Sequence, residues 1–257
     1  MTALASAQWV PTRAEFDAFA GISGDDNPIH VDPAFCARTR FGRPVAHGML
    51  IYAKLWAMAR QTHPDTVHRA HTLMFPNPTF VGDRVLLRID DAGADRLAMR
   101  AVRQDDGADL LVGEAGPDAA ASEAAPPDDH TERVIGALRV GQSASVRRAL
   151  ARADLDRFAA LAGCKAPLDD RVPEPLVAAL FSYLLGVKLP GPGTNYLKQE
   201  LRFGASAPIG EALAARVELT RLRPQKHLAD LWARAQRADG TTVCEGRSLV
   251  LVRDVGR

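Results

Sequence analysis

The sequence predicts an α+β fold built twice, each copy an antiparallel sheet wrapped around a central helix. Three observations predict it. Residues 48–60 read Gly-Met-Leu-Ile-Tyr-Ala-Lys-Leu-Trp-Ala-Met-Ala-Arg, a helix apolar on nearly every face, which has to be buried nearly all round. Alternating, strand-like segments follow it. The pattern then restarts: residues 15–24 are echoed by residues 154–163 at an offset of 139, and Phe75 with Gly82-Asp83 is echoed by Phe203 with Gly210-Glu211 at an offset of 128. Between these anchors the second copy is 11 residues shorter, and the loss falls where the first copy carries its most polar loop.

Length and composition agree with two domains. A chain of 257 residues can bury a sizeable core without metals or disulfides. With 47% hydrophobic and 25% charged residues, it has the composition of a globular protein. The net charge of +1 gives no basic excess for phosphate contacts along a nucleic acid. Cys36, Cys164 and Cys244 are far apart and form no CxxC pair, so neither a disulfide framework nor a zinc cluster is expected, and reduced cytoplasm is the default location. Met1–Pro11 lacks a basic region followed by an apolar run, so no secretory signal is expected. No run of eighteen apolar residues is present to span a membrane.

The elements follow in order. Val10-Pro11 ends a short first segment. Thr12-Arg13-Ala14-Glu15 forms a capping box, and Phe16, Phe19, Ala20 and Ile22 give one apolar face to the short helix behind it. Gly21 and Gly24 close that helix, and a loop runs to Val31. Asp32-Pro33 then reads as N-cap and first position of a second short helix, anchored by Phe35, Cys36 and Phe41 and stopped at Gly42. The apolar helix from Gly48 ends at His63-Pro64. Strands are predicted at Val85–Asp90, Leu97–Arg103 and Leu110–Glu114, the last two joined by the turn Asp105-Asp106-Gly107. Residues 116–132, rich in Ala, Pro, Ser and Asp, read as a flexible linker between domains at 1–115 and 133–257. The second copy opens with a strand at Val134–Val140, a helix at Ala153–Ala162 and a core helix at Leu176–Val187. Pro190-Gly191-Pro192-Gly193 turns out of that helix. Leu213–Thr220 alternates as a half-buried strand. Leu228–Gln236 fits either helix or strand by pattern, and the analogy with the first half makes it a strand.

Chemistry concentrates in Ser23-Gly24-Asp25-Asp26-Asn27-Pro28-Ile29-His30. Asp25 and His30 lie five residues apart in a loop and can face one small space, where a carboxylate and an imidazole could hold a water and move its protons. Ser23 and Asn27 are suited to bracing such a loop through hydrogen bonds to its backbone. The same residue types also make an ordinary turn, and residue types alone do not separate the two readings. Gly48, at the start of the apolar helix, lets a ligand approach free amides that favour developing negative charge, although helix–loop packing alone also explains a glycine there. His47 is read as structural. His63, His68 and His71 have no metal-ligand spacing, HExxH is absent, His130 and His227 read as solvated, and no metal is expected.

Residues 19–32, Phe-Ala-Gly-Ile-Ser-Gly-Asp-Asp-Asn-Pro-Ile-His-Val-Asp, followed by Phe41-Gly42-Arg43-Pro44-Val45-Ala46-His47-Gly48-Met49-Leu50, closely resemble the hydratase 2 motif of the MaoC-like (R)-specific enoyl-CoA hydratases. The resemblance implies a double hotdog fold. It implies Asp25 and His30 as the acid–base pair, the Gly48 amide as donor to a thioester oxygen, and Asn27 as shaper of the loop. The reaction implied is reversible addition of water to a trans-2-enoyl thioester of CoA or acyl carrier protein, with no cofactor. The second half departs from the motif, placing Cys164 and Asp169 where the aspartate and histidine belong and Glu174-Pro175-Leu176-Val177 in place of His-Gly-Met-Leu. It is expected to be a non-catalytic hotdog completing an intramolecular pseudo-dimer, which could itself pair as a homodimer of double hotdogs. Leu55 and Trp56, two helical turns from Gly48, are expected either to bound the acyl site or to sit in the core. A thioesterase on the same fold and a non-catalytic acyl-CoA-binding protein are the alternative functions.

Overall fold

The computed structural model describes residues 2–63, 69–117 and 134–256. Its first half runs β1 (Thr2–Trp9), α1 (Arg13–Ser23), α2 (Pro28–Val31), α3 (Pro33–Cys36), α4 (Gly48–Thr62), β2 (Ala70–Met74), β3 (Val85–Gly93), β4 (Arg96–Arg103) and β5 (Asp109–Gly116). The second runs β6 (Ser143–Ala149), α5 (Arg152–Ala162), α6 (Glu174–Tyr183) with a π-helical turn at Leu184–Lys188, then β7 (Asn195–Phe203), β8 (Ala212–Arg223), β9 (Leu228–Gln236) and β10 (Thr242–Leu251).

Among the described residues these strands form one antiparallel sheet in the order β1-β3-β4-β5-β2-β7-β10-β9-β8-β6. Read inward from either end, the connectivity is the same, which makes the duplication a spatial one. The halves meet where β2 pairs with β7, with Leu73 opposite Gln199 and Ala70 opposite Arg202. The helices α1 and α5 each have 11 residues and each end on a left-handed glycine, Gly24 at φ 79° and Gly163 at φ 83°. From there the halves diverge. Residues 24–47 carry α2 and α3 before α4 begins, whereas 163–173 lead directly to α6.

The apolar pattern of α4 is explained by its place in the hollow of the sheet. Met49, Leu50, Ile51, Tyr52, Ala53, Leu55, Trp56, Ala57 and Ala59 are all buried. Its one interior charge, Lys54, meets the Glu15 carboxylate of α1 at 2.8 Å and donates to the Leu161 carbonyl of α5 at 2.9 Å. The capping box at Thr12 is formed as predicted, the Thr12 hydroxyl accepting from the Glu15 amide at 3.2 Å and the Glu15 carboxylate accepting from the Thr12 amide at 2.9 Å.

One expectation changes, and one segment left unassigned by the sequence gains an assignment. The first segment is an edge strand, β1, paired with β3; one neighbour and little burial leave it no clear alternation to read. Val134–Val140 is not a strand: it makes one bridge, Ile135 to Leu138, and the chain turns at Gly136 and Gly141, both with positive φ, so the first strand of the second half is β6. Of the linker expected at 116–132, only Gly116 and Pro117 lie among the described residues. The ambiguous segment Leu228–Gln236 is a strand, held between β8 and β10.

Candidate active site

The polar loop is fixed from both ends. Gly24 adopts the left-handed conformation that closes α1, and its amide donates to Ala20 at 2.7 Å. Asn27 caps α2, with Pro28 at the first helical position. Between these stops the chain turns inward. Asp25 is 1% exposed, Asn27 2% and His30 7%. An exposed turn would have left such side chains in water; here they face the interior.

Hydrogen bonds hold the loop's buried side chains in place. Ser23 donates its hydroxyl to the Phe19 carbonyl at 2.7 Å and accepts the Asp25 amide at 3.1 Å. The ring of His30 contacts the Val45 carbonyl through Nδ1 at 2.8 Å. A carbonyl only accepts, so Nδ1 carries the proton and Nε2 keeps the lone pair. His47, fully buried, donates from Nε2 to the main-chain carbonyl of Asp25 at 2.8 Å, and its ring stacks on that of His30 at 3.8 Å between centres. It therefore positions both members of the pair, in keeping with its structural reading.

The second half completes the site. Ser182 of α6 donates to Asp25 Oδ2 at 2.5 Å. Asn27 donates to the Thr194 carbonyl at 3.0 Å and accepts the Gly193 amide at 3.1 Å. Gly186, in the π-helical turn, lies so close that a Cβ there would stand 2.7 Å from Asp25 Oδ1. Arg148 of β6 donates to the carbonyls of Ile22 and Ser23 at the end of α1, where helix carbonyls lack partners and a cation is favoured. None of these second-half residues belongs to the motif. One signal was available: Ser182 and Tyr183 are the only residues bearing hydroxyls in the apolar run 175–186.

Burial sets the protonation states. Desolvation raises the Asp25 carboxyl to about 7, against the hydrogen bond from Ser182, which favours the anion. Desolvation lowers His30 to about 4, against the bond to Val45. Near neutral pH the imidazole is thus a neutral base and the carboxyl is a proton donor over much of the population. Two neighbouring groups pushed apart in this way can act as base and acid.

Gly48 is the first residue of α4 and lines the same pocket as Asp25 and His30. A Cβ at Gly48 would come within 2.8 Å of the Phe75 ring, so side chains are excluded there while the helix-start amide stays ahead of the intrahelical donors. The cavity is small, about 50 Å³, and Ile51, Phe75, Leu110 and Leu185 supply apolar wall. Leu55 and Trp56, expected either to bound the acyl site or to sit in the core, are not among the residues that line it. At about 11 Å along the helix, two turns carry the chain past the site. Trp56 instead donates its indole N–H to Glu174 at 2.8 Å and meets the Phe158 ring edge-on. Ile51, one turn from Gly48, is the α4 residue that borders the pocket.

Asp25, His30 and His47 bring a carboxylate oxygen and two ring nitrogens within 4.8 Å of one another. Each ring already commits one nitrogen to a main-chain carbonyl, His30 to Val45 and His47 to Asp25, and the two rings stack. At the corresponding end of the second half, Asp169 pairs with Arg171, and Glu174 is the first residue of α6.

Comparison with known proteins bears on this geometry. The family model of the MaoC like domain matches residues 2–109. The (R)-specific enoyl-CoA hydratase of Rhodospirillum rubrum is 32% identical over 128 residues, which cover 45% of this chain and 88% of that one. The chain belongs to the MaoC-like family. The (R)-specific enoyl-CoA hydratase of Aeromonas caviae is 42% identical over 79 residues, and the match spans 30% of this MaoC-like chain and 59% of the relative's length. Among solved structures, a MaoC-like dehydratase superposes with a TM-score of 0.70 at 15% identity, covering 96% of this chain and 97% of its own. A Mycobacterium tuberculosis protein described as a double hotdog does so with a TM-score of 0.70 at 13% identity, covering 98% and 96%. The MaoC-like chain is thus a double hotdog whose polar loop lies in the first copy.

Proposed function

We propose that the protein is an (R)-specific enoyl-thioester hydratase, running equally as a 3-hydroxyacyl-thioester dehydratase. The observation that carries this reading is one buried pocket shared by Asp25, His30 and the start of α4, with the two titrating groups displaced in opposite directions. In the hydration direction, neutral His30 takes a proton from water through Nε2 as the oxygen attacks C3 of the enoyl thioester. The electrons move through the double bond onto the thioester oxygen, which the Gly48 amide and the α4 dipole stabilise. Asp25 then gives its proton to C2, and the proton on His30 returns to Asp25. No atom is left over and no cofactor takes part.

The family names the reaction class of its relatives, and the matched (R)-hydratases favour the R product here. The small apolar end of the pocket favours short acyl groups. Incubation with crotonyl-CoA tests the reading through loss of enoyl absorbance, the configuration of the 3-hydroxybutyryl-CoA formed, and trapping of free thiol. The expected result is R product with no thiol. Thiol release would make the protein a thioesterase, and binding without either change would make it an acyl-CoA-binding protein.

A further inference from the structure

Three arginines fall within six residues between α3 and α4: Arg38, Arg40 and Arg43, all exposed. Each guanidinium lies over an aromatic ring. Arg38 is 5.8 Å from the centre of Phe35, Arg40 is 4.9 Å from Phe41, and Arg43 is 4.1 Å from Phe80. The rings belong together. Phe35, Ile29 and Val45 form a small buried cluster apart from the main core, and Phe41 and Phe80 pack against it. That cluster is also a wall of the candidate active site, since Ile29, Phe41, Val45 and Arg40 itself line the pocket. The guanidinium groups are therefore held on packed platforms at the rim of the site.

A guanidinium stacked on a ring keeps its edge free for hydrogen bonding and loses less conformational freedom when it binds. Among the described residues neither Arg38 nor Arg40 forms an ion pair. Arg43 has a long one, 3.9 Å from Asp83, a carboxylate held more closely by Arg103 at 3.1 Å and by the Phe80 amide at 2.9 Å. Asp32 accepts from the amides of Ala34 and Phe35. Arginines elsewhere on the surface behave differently, as in the close pairs Arg100–Asp109 and Arg234–Glu245.

We propose that Arg40 and Arg43, with Arg38 beside them, bind the phosphates of coenzyme A while the acyl end of the thioester enters the pocket toward Asp25 and His30. The proposal rests on the hydratase reading and adds the carrier to it. Planar guanidinium groups match phosphate oxygens two at a time, and CoA carries a diphosphate and a 3′-phosphate beyond its pantetheine arm. A carrier protein offers a single phosphate at that place.

Binding can be measured without turnover. Titration calorimetry with free CoA and with pantetheine compares the wild type with Arg40→Ala/Arg43→Ala. CoA affinity should fall at least about tenfold in the double variant, as expected when charge-assisted contacts are lost, and pantetheine affinity should fall by much less. Wild-type CoA affinity should weaken with added KCl more steeply than that of the variant. Arg40→Lys/Arg43→Lys, which keeps the charge but not the fork, should recover part of the loss. The ratio of kcat/KM for crotonyl-CoA to that for S-crotonyl-pantetheine should fall by a similar factor. CoA affinity unchanged in the folded alanine variant would overturn the proposal, and so would equal losses for CoA and pantetheine. Failure of the hydratase reading would show separately, as no hydration of either thioester by the wild type.

Discussion

Replacing Asp25 by Asn should stabilise the protein at and above neutral pH and leave it unchanged in acid. Burial raises the carboxyl from 3.8 to about 7, so the fold holds this proton more tightly than the unfolded chain does. The stability contributed by the protonated group is fully present below pH 3.8 and is lost as pH rises through about 7, beyond which the loss is complete. A rise of that size corresponds to about 4 kcal/mol. The asparagine would carry no charge at any pH, and its amide oxygen can still accept the Ser182 hydroxyl. The difference between the two proteins should therefore grow from near zero at about pH 4 to as much as about 4 kcal/mol at about pH 8, or roughly 10 °C in melting temperature for a chain of this size. His30 titrates the other way. With its pKa lowered to about 4, its contribution is present above pH 6.5 and is lost as pH falls toward 4, but it is common to both proteins. Thermal or urea unfolding at pH 4, 6 and 8 measures the difference. An Asn variant less stable than the wild type at pH 8 would refute the reasoning, because it would mean that the anion is stabilised where it lies.

Ser182→Ala removes a donor that favours the Asp25 anion, so the alkaline limb of kcat/KM, expected near pH 7, should move up by about one to two pH units; a stationary limb would detach Ser182 from the reacting carboxyl. Gly186→Ala places a methyl 2.7 Å from Asp25 Oδ1 and should displace the loop, lowering kcat/KM about a hundredfold while costing about 1–3 kcal/mol of stability by denaturant titration. Ile51→Ala should raise the ratio of octenoyl-CoA to crotonyl-CoA efficiency, whereas Trp56→Ala should cost about 3–5 kcal/mol in unfolding measurements and leave that ratio alone.

Local rules carry much of this architecture into the sequence. The capping box, the closing glycines and the all-round apolar α4 each follow from short-range chemistry, and the echo at an offset of 139 places α5 residue for residue on α1. Asp25, His30 and Gly48 are legible because they share one contiguous motif. Ser182, Gly186 and Arg148 are not, because each acts across the pseudo-dimer, more than 120 residues from its partner, and no periodicity records such a contact. Trp56 escapes sequence reasoning for a related reason. Helical spacing gives distance along α4 but not the point at which the pocket ends. The edge strand β1 is hard to read because it has one neighbour, a register shift between Ala3 and Ala5, and full burial only at Trp9, which leaves little alternation.

In the proposed mechanism Asp25 and His30 work as one acid–base pair on an enoyl thioester. The most direct test is steady-state hydration of crotonyl-CoA by the wild type, Asp25→Asn and His30→Ala, each shown to be folded by circular dichroism. Each substitution should lower kcat/KM by about a hundredfold to ten-thousandfold. Near-normal turnover by either folded variant would contradict the pairing.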